Sequence, residues 1–252
     1  MVTDLLGWDL DPDKADVGSC VVVLGVEITL DGEDSFWRLS PMKRQRWIDD
    51  LKTVLADDKL TPGHASKLCG RLAFLNSCVF NKTLRALLRP LVWRQSCVRR
   101  VVTLTPRLRF ALKWFLAILD QACSRRINLG LRILPPVVLI YSDAEQNGHI
   151  GAVAEFPSGQ MYYLQGRLPW KIKRLIRRRK TNIVAYDLLA ALVAIVSVCP
   201  SWLWHMRVQH FIDSTSALAC VVRVFSSKTD LSLIAGRLWF ETCAMQVDYR
   251  AE

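Results

Sequence analysis

The sequence has no C-x-x-C pair among its eight cysteines. Cys20, Cys69, Cys78, Cys97, Cys123, Cys199, Cys220 and Cys243 stand far apart, most of them inside apolar runs. Neither a disulfide framework nor a thiolate zinc site is expected, and reduced core thiols in an intracellular protein, of nucleus or cytoplasm, are. Histidine is scarce, with four in the chain, and His149, His205 and His210 lack ligand spacing, so they read as structural. The first twenty residues carry Asp4, Asp9, Asp11, Asp13 and Asp16 and no apolar run, which speaks against a secretory signal or an Arg-rich transit peptide. No apolar run reaches the roughly twenty residues of a spanning helix. The longest, from Leu188 to Cys199 and on toward Trp204, is crowded by Asp187, Pro200 and His205. A buried core helix is the better reading, and membrane association through this segment is a third, weaker one.

What is plentiful points elsewhere. Hydrophobic residues make up 51% of the 252, nine of them tryptophan, so a real core is expected and wholesale disorder is not. The length suits two modest domains or one large one. A formal charge of +11 calls for a polyanionic partner, either nucleic acid or an anionic membrane surface.

In the first half, residues 18 to 30 read as one strand turning at Asp31-Gly32, with Phe36 to Leu39 as its partner. Ser40-Pro41 opens a helix to about Asp57, with Ser40 as N-cap and Pro41 in its first turn. Thr61-Pro62 repeats that signal for a second helix through Leu75. Further helices are expected over about Asn81 to Trp93 and Pro106 to Gln121.

In the second half, Val137 to Ser142 is a β-branched apolar run that ends on Asp143. A glycine-containing turn leads to a second strand, His149 to Phe156, and a Pro-Ser-Gly turn to a third, Gln160 to Gln165. Asn182 to Cys199 reads as a buried helix carrying Asp187, with Thr181 or Asn182 as N-cap. Arg207 to Ile212 is a strand that delivers Asp213 to a helix start, and Gln246 to Arg250 reads as a last strand. A carboxylate at the end of a buried strand needs a metal, a cap or a basic partner. Taken singly, Asp143 reads as a turn or cap residue, Asp187 as a first-turn acid favoured by the helix dipole, and Asp213 as an N-cap. Their order on these elements is what joins them.

That order resembles the ribonuclease H fold. Ser142-Asp143-Ala144 with Gly148 and Gly151-Ala152-Val153 is similar to its first catalytic strand. Ala185-Tyr186-Asp187-Leu188-Leu189-Ala190 is similar to its helix motif, and Phe211-Ile212-Asp213-Ser214-Thr215 to its third acidic strand end. The first half resembles the region after the polymerase palm in retroelement reverse transcriptases. Leu24-Gly25-Val26-Glu27-Ile28 is similar to the hairpin before the thumb, and Leu68-Cys69-Gly70-Arg71-Leu72-Ala73-Phe74 to a connection helix. Leu39-Ser40-Pro41-x-Lys43 falls between them, and Leu6-Gly7-Trp8 with Leu10-Asp11 and Lys14 is similar to the segment that precedes the hairpin. The resemblance implies a thumb/connection-like domain over 1–135 and an RNase H-like domain over 136–252. The fold class is then α/β (α+β overall), an RNase H-like mixed sheet with flanking helices preceded by a β-hairpin and a helical domain.

The resemblance also implies a chemistry. Asp143, Asp187 and Asp213 would be catalytic and would bind Mg²⁺, with Mn²⁺ as substitute, for hydrolysis of RNA in RNA–DNA hybrids. Two such ions sit about 3.5–4 Å apart in a two-metal site, and Mg²⁺ prefers oxygen ligands. Departures temper this. There is no Tyr-x-Asp-Asp palm motif, so no polymerase activity is expected. Asp187 stands where the family has glutamate, and one methylene less withdraws the carboxylate by roughly 1.5 Å. Ser214 replaces the more usual Asn. The fourth acid does not align, although Asp230, Glu241 and Asp248 are near, so a truncated or degenerate derivative with activity between weak and none is expected.

The run from Lys171 to Lys180 holds Lys171, Lys173, Arg174, Arg177, Arg178, Arg179 and Lys180 just before the Asp187 helix. Arginine forks suit phosphate, so this run is the candidate contact for a hybrid or a structured RNA; the plainer reading is a solvated or nuclear-targeting basic loop. Arg94, Arg99, Arg100, Arg107 and Arg109 could extend a phosphate track. The alternative function is a non-catalytic nucleic-acid-binding or scaffold component of a ribonucleoprotein, or part of a polyprotein.

Overall fold

The structure, a computed structural model, describes residues 18–31, 34–78, 84–97, 102–120, 125–128, 136–177, 179–198, 200–204, 206–245 and 247–252. The first half holds β1 (Cys20–Val23), β2 (Val26–Asp31), β3 (Asp34–Leu39), α1 (Pro41–Asp57), α2 (Pro62–Cys78), α3 (Arg85–Gln95), α4 (Pro106–Asp120) and β4 (Arg125–Asn128). The second holds β5 (Val137–Ala144), β6 (His149–Glu155), β7 (Met161–Arg167), α5 (Trp170–Leu175), α6 (Ile183–Ser197) and α7 (Pro200–Leu203). It ends with β8 (Arg207–Ile212), α8 (Thr215–Arg223), α9 (Thr229–Ala244) and β9 (Asp248–Ala251).

The fold is mixed α/β, with a four-stranded antiparallel sheet in the order β1-β2-β3-β4 and a five-stranded sheet in the order β7-β6-β5-β8-β9. In the second sheet β7, β6 and β5 run antiparallel as consecutive hairpins, whereas β8 and β9 join β5 in parallel. Strict alternation explains which face is covered. Val138, Ile140 and Ser142 of β5, and Val208, His210 and Ile212 of β8, are buried, and their neighbours in sequence are not. Helix α6 lies on this buried face against β5 and β6, and α9 lies on α6. The opposite face carries Tyr141 and Phe211, whose rings stack at 4.8 Å.

Two apolar clusters result. One gathers Leu51, Leu68, Leu72, Leu91, Leu112 and Phe115 between α1, α2, α3 and α4. The other gathers Val138, Ile140, Leu188, Ile195, Val208 and Leu238 between the sheet and its helices. The two meet where α3 packs on α9. A Cβ built on Gly236 would lie 2.7 Å from the Ala86 Cβ, so only glycine permits this approach. Arg89 of α3 also reaches the Ser232 hydroxyl at 3.4 Å and the Ser227 carbonyl. Gly236→Ala should therefore destabilise the protein by about 1–3 kcal/mol, the usual cost of overpacking, as read by urea denaturation.

Several expectations are corrected here. Residues 18 to 30 form two strands rather than one. Leu24 (φ 51°) and Gly25 (φ 78°) turn the chain between β1 and β2, and Lys43 Nζ donates to the Leu24 carbonyl at 2.7 Å. Both turn residues have positive φ, the geometry of a two-residue hairpin loop, which Leu-Gly signals poorly. Strand β4 and helices α5, α7 and α9 belong to none of the expected elements. The apolar segment after Asp187 is a core helix, and among the described residues no helix is long and apolar enough to cross a membrane. Not every cysteine is a core thiol: Cys69 and Cys220 are buried, and burial pushes both thiols up, but Cys20 and Cys243 are exposed.

Asn182 sits at the N-cap position of α6, yet its side chain makes no capping bond and its buried Oδ1 has no hydrogen-bond partner. A buried acceptor without a donor costs stability. Asn182→Ala should therefore change stability by less than about 0.5 kcal/mol, where loss of a working cap costs about 1 kcal/mol. Thermal unfolding of the two proteins side by side checks this.

Candidate carboxylate site and basic surface

The parallel pair β5–β8 sets the site. Its register matches Ser142 with Ile212, so Asp143 and Asp213 leave the same carboxyl end of neighbouring strands. Crevices at that end of open α/β sheets are where ligands bind. Asp143 and Asp213 are exposed there, and Asp143 Oδ1 accepts the Ala144 N–H at 2.7 Å.

Asp187 comes to the same place from α6 and is 5% exposed. Its carboxylate accepts hydrogen bonds from the Ser214 hydroxyl and from the Ala144 N–H, which also serves Asp143. Burial pushes the Asp187 carboxyl above its ordinary range, and the charges of Asp143 and Asp213 push it further. The Ser214 and Ala144 donors pull the other way. All three predicted acids are thus electrostatic neighbours, with the most buried of them carrying the strain of the like charges.

The single-residue readings fare differently. Asp187 lies beyond the first turn of α6, which contains no acid. The N-cap of α8 is Ser214, not Asp213, and it accepts the Ala217 N–H at 3.3 Å. Ser214 therefore joins two structures: it caps α8 and holds Asp187. In the sequence Ser214 stood out as a substitution and Ala144 as part of the first strand motif, neither of them as a support of Asp187. The position of Ser214 directly after the third acid was the available signal.

Whether these residues suit a divalent cation can be tested on the donor set. Three carboxylates, with no thiol and no imidazole among them, match the oxygen preference of Mg²⁺. Asp187 is a buried acid held in a negative field, a situation that a cation relieves. The donors fit by chemistry. By spacing, however, no group of three His, Cys, Asp or Glu among the described residues is gathered closely enough to hold a metal ion.

Beneath the site lies a buried polar chain. His210, fully buried, faces the Ser142 hydroxyl through Nε2 at 2.8 Å and the Tyr249 hydroxyl through Nδ1 at 3.0 Å. Burial lowers the imidazole to about 3 and pushes the Tyr249 phenol up, so both stay neutral. His210 is structural, and it ties β5 to β9 through β8, one residue before Asp143.

The basic run divides into two kinds of residue. Lys173 donates to the Asn147 carbonyl and covers Gly148 (φ 87°), where a Cβ would strike its side chain at 2.4 Å. Arg179 pairs with Asp230, which also accepts the Arg177 N–H at 3.0 Å and is held below its ordinary range by these bonds against its own burial. These contacts pin the run to the β5–β6 turn and to α9. Lys171, Arg174, Arg177 and Lys180 are exposed, and Arg174 stacks over Trp170 at 4.3 Å. Arg178 lies outside the described residues.

Of the acids near the chain's end, Glu241 and Asp248 are otherwise engaged. Glu241 pairs with Arg237 one helical turn away. Asp248 lies opposite Arg207 at the far end of β8 from Asp213. The second arginine cluster is corrected too. Arg94 is 5% exposed and donates to the Thr103 carbonyl, and Arg109 pairs with Asp58 at 2.6 Å. Both hold the helical half together and are not a free phosphate track. Arg107 is exposed, and Arg99 and Arg100 lie outside the described residues. No protein-family model matches the chain, and no curated protein does.

Proposed function

We propose that the chain is an RNase H-like protein derived from a retroelement reverse transcriptase, and that it hydrolyses the RNA strand of RNA–DNA hybrids weakly, with Mg²⁺ or Mn²⁺. The observation that carries this reading is the convergence of Asp143, Asp187 and Asp213 at the carboxyl end of β5 and β8. The strand order, with three antiparallel hairpin strands followed by two parallel additions, supports the same family. Asp143, Asp187 and Asp213 would hold the metal once drawn closer than they stand here, and it would supply an activated water and charge stabilisation at the leaving oxygen. The chain's own residues do the rest. Ser214 and the Ala144 N–H fix the Asp187 carboxylate, and Lys171, Arg174, Arg177 and Lys180 offer exposed cations for phosphates.

A second reading is favoured by one specific observation, the spacing of the acids wider than a ready metal site. In it the protein keeps the fold and grips nucleic acid, or serves as a scaffold in a ribonucleoprotein, without catalysis. A labelled RNA–DNA hybrid, incubated with the protein in Mg²⁺ and in Mn²⁺, separates the two. The expected result is slow cleavage of the RNA strand that disappears in Asp143→Asn. Tight binding with no cleavage in either metal would leave only the second reading.

Binding is expected to weaken steeply with salt. Each phosphate contact adds about 0.9 to the log–log slope on duplex. Lys171→Ala with Lys180→Ala should lower that slope by nearly two, as read by fluorescence anisotropy between low and moderate salt.

A further inference from the structure

We propose that β7 is the seam of a homodimer, in which two copies of the chain pair antiparallel through this edge and join their second sheets into one. Strand β7 closes one end of its sheet, and β6 is its only partner among the described strands. Its 7 residues, Met161 to Arg167, run in unbroken register with β6, and all but Leu164 are exposed. Such an edge offers unpaired backbone groups to another strand, and proteins guard it with proline, a bulge, short length or charge. β7 has no proline, no bulge and a single charge, Arg167 at its end. The opposite edge is guarded: β9 has 4 residues and carries Asp248 and Arg250.

Hydrogen bonds at the strand ends fix which groups point outward. The Phe156 N–H donates to the Gln160 carbonyl at 2.9 Å, and the Leu168 N–H to the Gly148 carbonyl at 2.8 Å. Antiparallel ladders alternate, so Tyr162, Leu164 and Gly166 bond to β6 while Met161, Tyr163, Gln165 and Arg167 turn their backbone groups outward. The occupant is a second copy because this strand complements itself. A two-fold axis through Leu164 sets Met161 against the partner's Arg167 and Tyr163 against the partner's Gln165, so every outward group finds a mate. Leu164 then meets the partner's Leu164 in a non-hydrogen-bonded pair, where Cα atoms approach to about 4.5 Å. Tyr162 stands opposite the partner's Gly166, and a Cβ built on Gly166 meets nothing within 4 Å. A ring beside an edge glycine fills that gap. Charges agree as well. Glu155 is the β6 neighbour of Met161, so the partner's Arg167 reaches across Met161 toward it on one face. Glu155 and Arg167 are both exposed, and neither forms an ion pair among the described residues.

Sedimentation equilibrium on nucleic-acid-free protein tests the seam. Wild type should reach twice the 28.7 kDa of one chain. Tyr163→Lys changes a side chain that is 83% exposed and sets two ammonium groups on one face as diagonal neighbours across the axis. Gln165→Pro removes an N–H that β6 does not use, a position at which edge strands tolerate proline. Each should raise the dimer dissociation constant by at least about tenfold, through like charge or a broken ladder. Glu155→Arg should weaken the dimer too, and Glu155→Arg/Arg167→Glu should restore it, because only this register brings the two positions together. Far-ultraviolet circular dichroism confirms that each variant is folded. A wild type that stays monomeric at about 0.1 mM would overturn the dimer. A dimer that every variant leaves intact would overturn β7 as its seam, and a charge swap without recovery would overturn the axis through Leu164.

Discussion

Lowering the pH from 7 to 4 should remove about 3 kcal/mol of stability through His210 alone. The imidazole is buried on the covered face of the sheet and titrates at about 3 in the folded chain, against 6.5 when exposed. Between those values the unfolded chain binds the proton and the folded chain does not, so stability falls as the pH drops through this window. The contribution is fully present above pH 6.5. Carboxylates titrate in the same range. Asp187 opposes the trend, because its raised carboxyl takes up a proton more readily when folded. A variant isolates the histidine. His210→Gln keeps a donor and an acceptor between Ser142 and Tyr249 but cannot be charged. It should cost about 1–3 kcal/mol at pH 7, from imperfect bonds to two buried hydroxyls, and flatten the decline between pH 6.5 and 4. Urea midpoints at a series of pH values measure both effects. An unchanged pH slope in His210→Gln would show that another group controls acid unfolding.

The largest functional effects are expected at Asp187, and in opposite directions. Asp187→Asn removes a buried charge from the field of Asp143 and Asp213 while keeping an acceptor for Ser214 and Ala144. It should stabilise the fold by about 1 kcal/mol and abolish cleavage, the usual exchange between stability and function at a site of clustered like charges. Asp187→Glu extends the carboxylate by one bond, roughly 1.5 Å, toward the two exposed acids. Hybrid cleavage should then rise by about tenfold, since each tenfold is only about 1.4 kcal/mol of barrier and metal geometry is demanding. Initial rates on a labelled hybrid, with melting temperatures beside them, check the pair. A glutamate variant no faster than wild type would mean that reach from α6 is not what limits the site.

Much of the second sheet was legible because its strands alternate cleanly. Val138, Ile140 and Ser142 fall on one face and Tyr141 and Asp143 on the other, and β8 repeats the pattern up to Asp213. The helix of Asp187 was legible from an apolar run too long for a strand. What escaped was set by contacts distant in sequence. Arg125-Arg126-Ile127-Asn128 has no strand periodicity, and it forms β4 only because β3 offers it an edge. The turn at Leu24–Gly25 lacks the Asn-Gly or Asp-Gly signature, and it is secured by Lys43 from the next helix. Helix α9 mixes polar and apolar residues because it has three neighbours, α6, α8 and α3.

At the site, the three acids could be named from strand and helix ends, but their supports could not. Ser214 and the Ala144 N–H act on Asp187 across gaps of 27 and 43 positions in sequence, read directly from the residue numbers. The basic residues show the same limit. Composition located the run before α6, yet only the fold separates Lys173 and Arg179, which are committed to Asn147 and Asp230, from the exposed Lys171 and Lys180. Arg94 and Arg109 were placed on a phosphate track by charge alone and are spent on Thr103 and Asp58.

Asp143, Asp187 and Asp213 are proposed to act as one cation site, and binding of Mn²⁺ followed by electron paramagnetic resonance tests that most directly. Wild-type protein should bind Mn²⁺ saturably, Mg²⁺ should displace it, and the metal should raise the melting temperature by mass action on the folded state. Asp143→Asn and Asp213→Asn should each weaken that binding by at least about tenfold. Equal Mn²⁺ binding by wild type and both variants would contradict the account, because the three carboxylates would then be neighbours without being ligands.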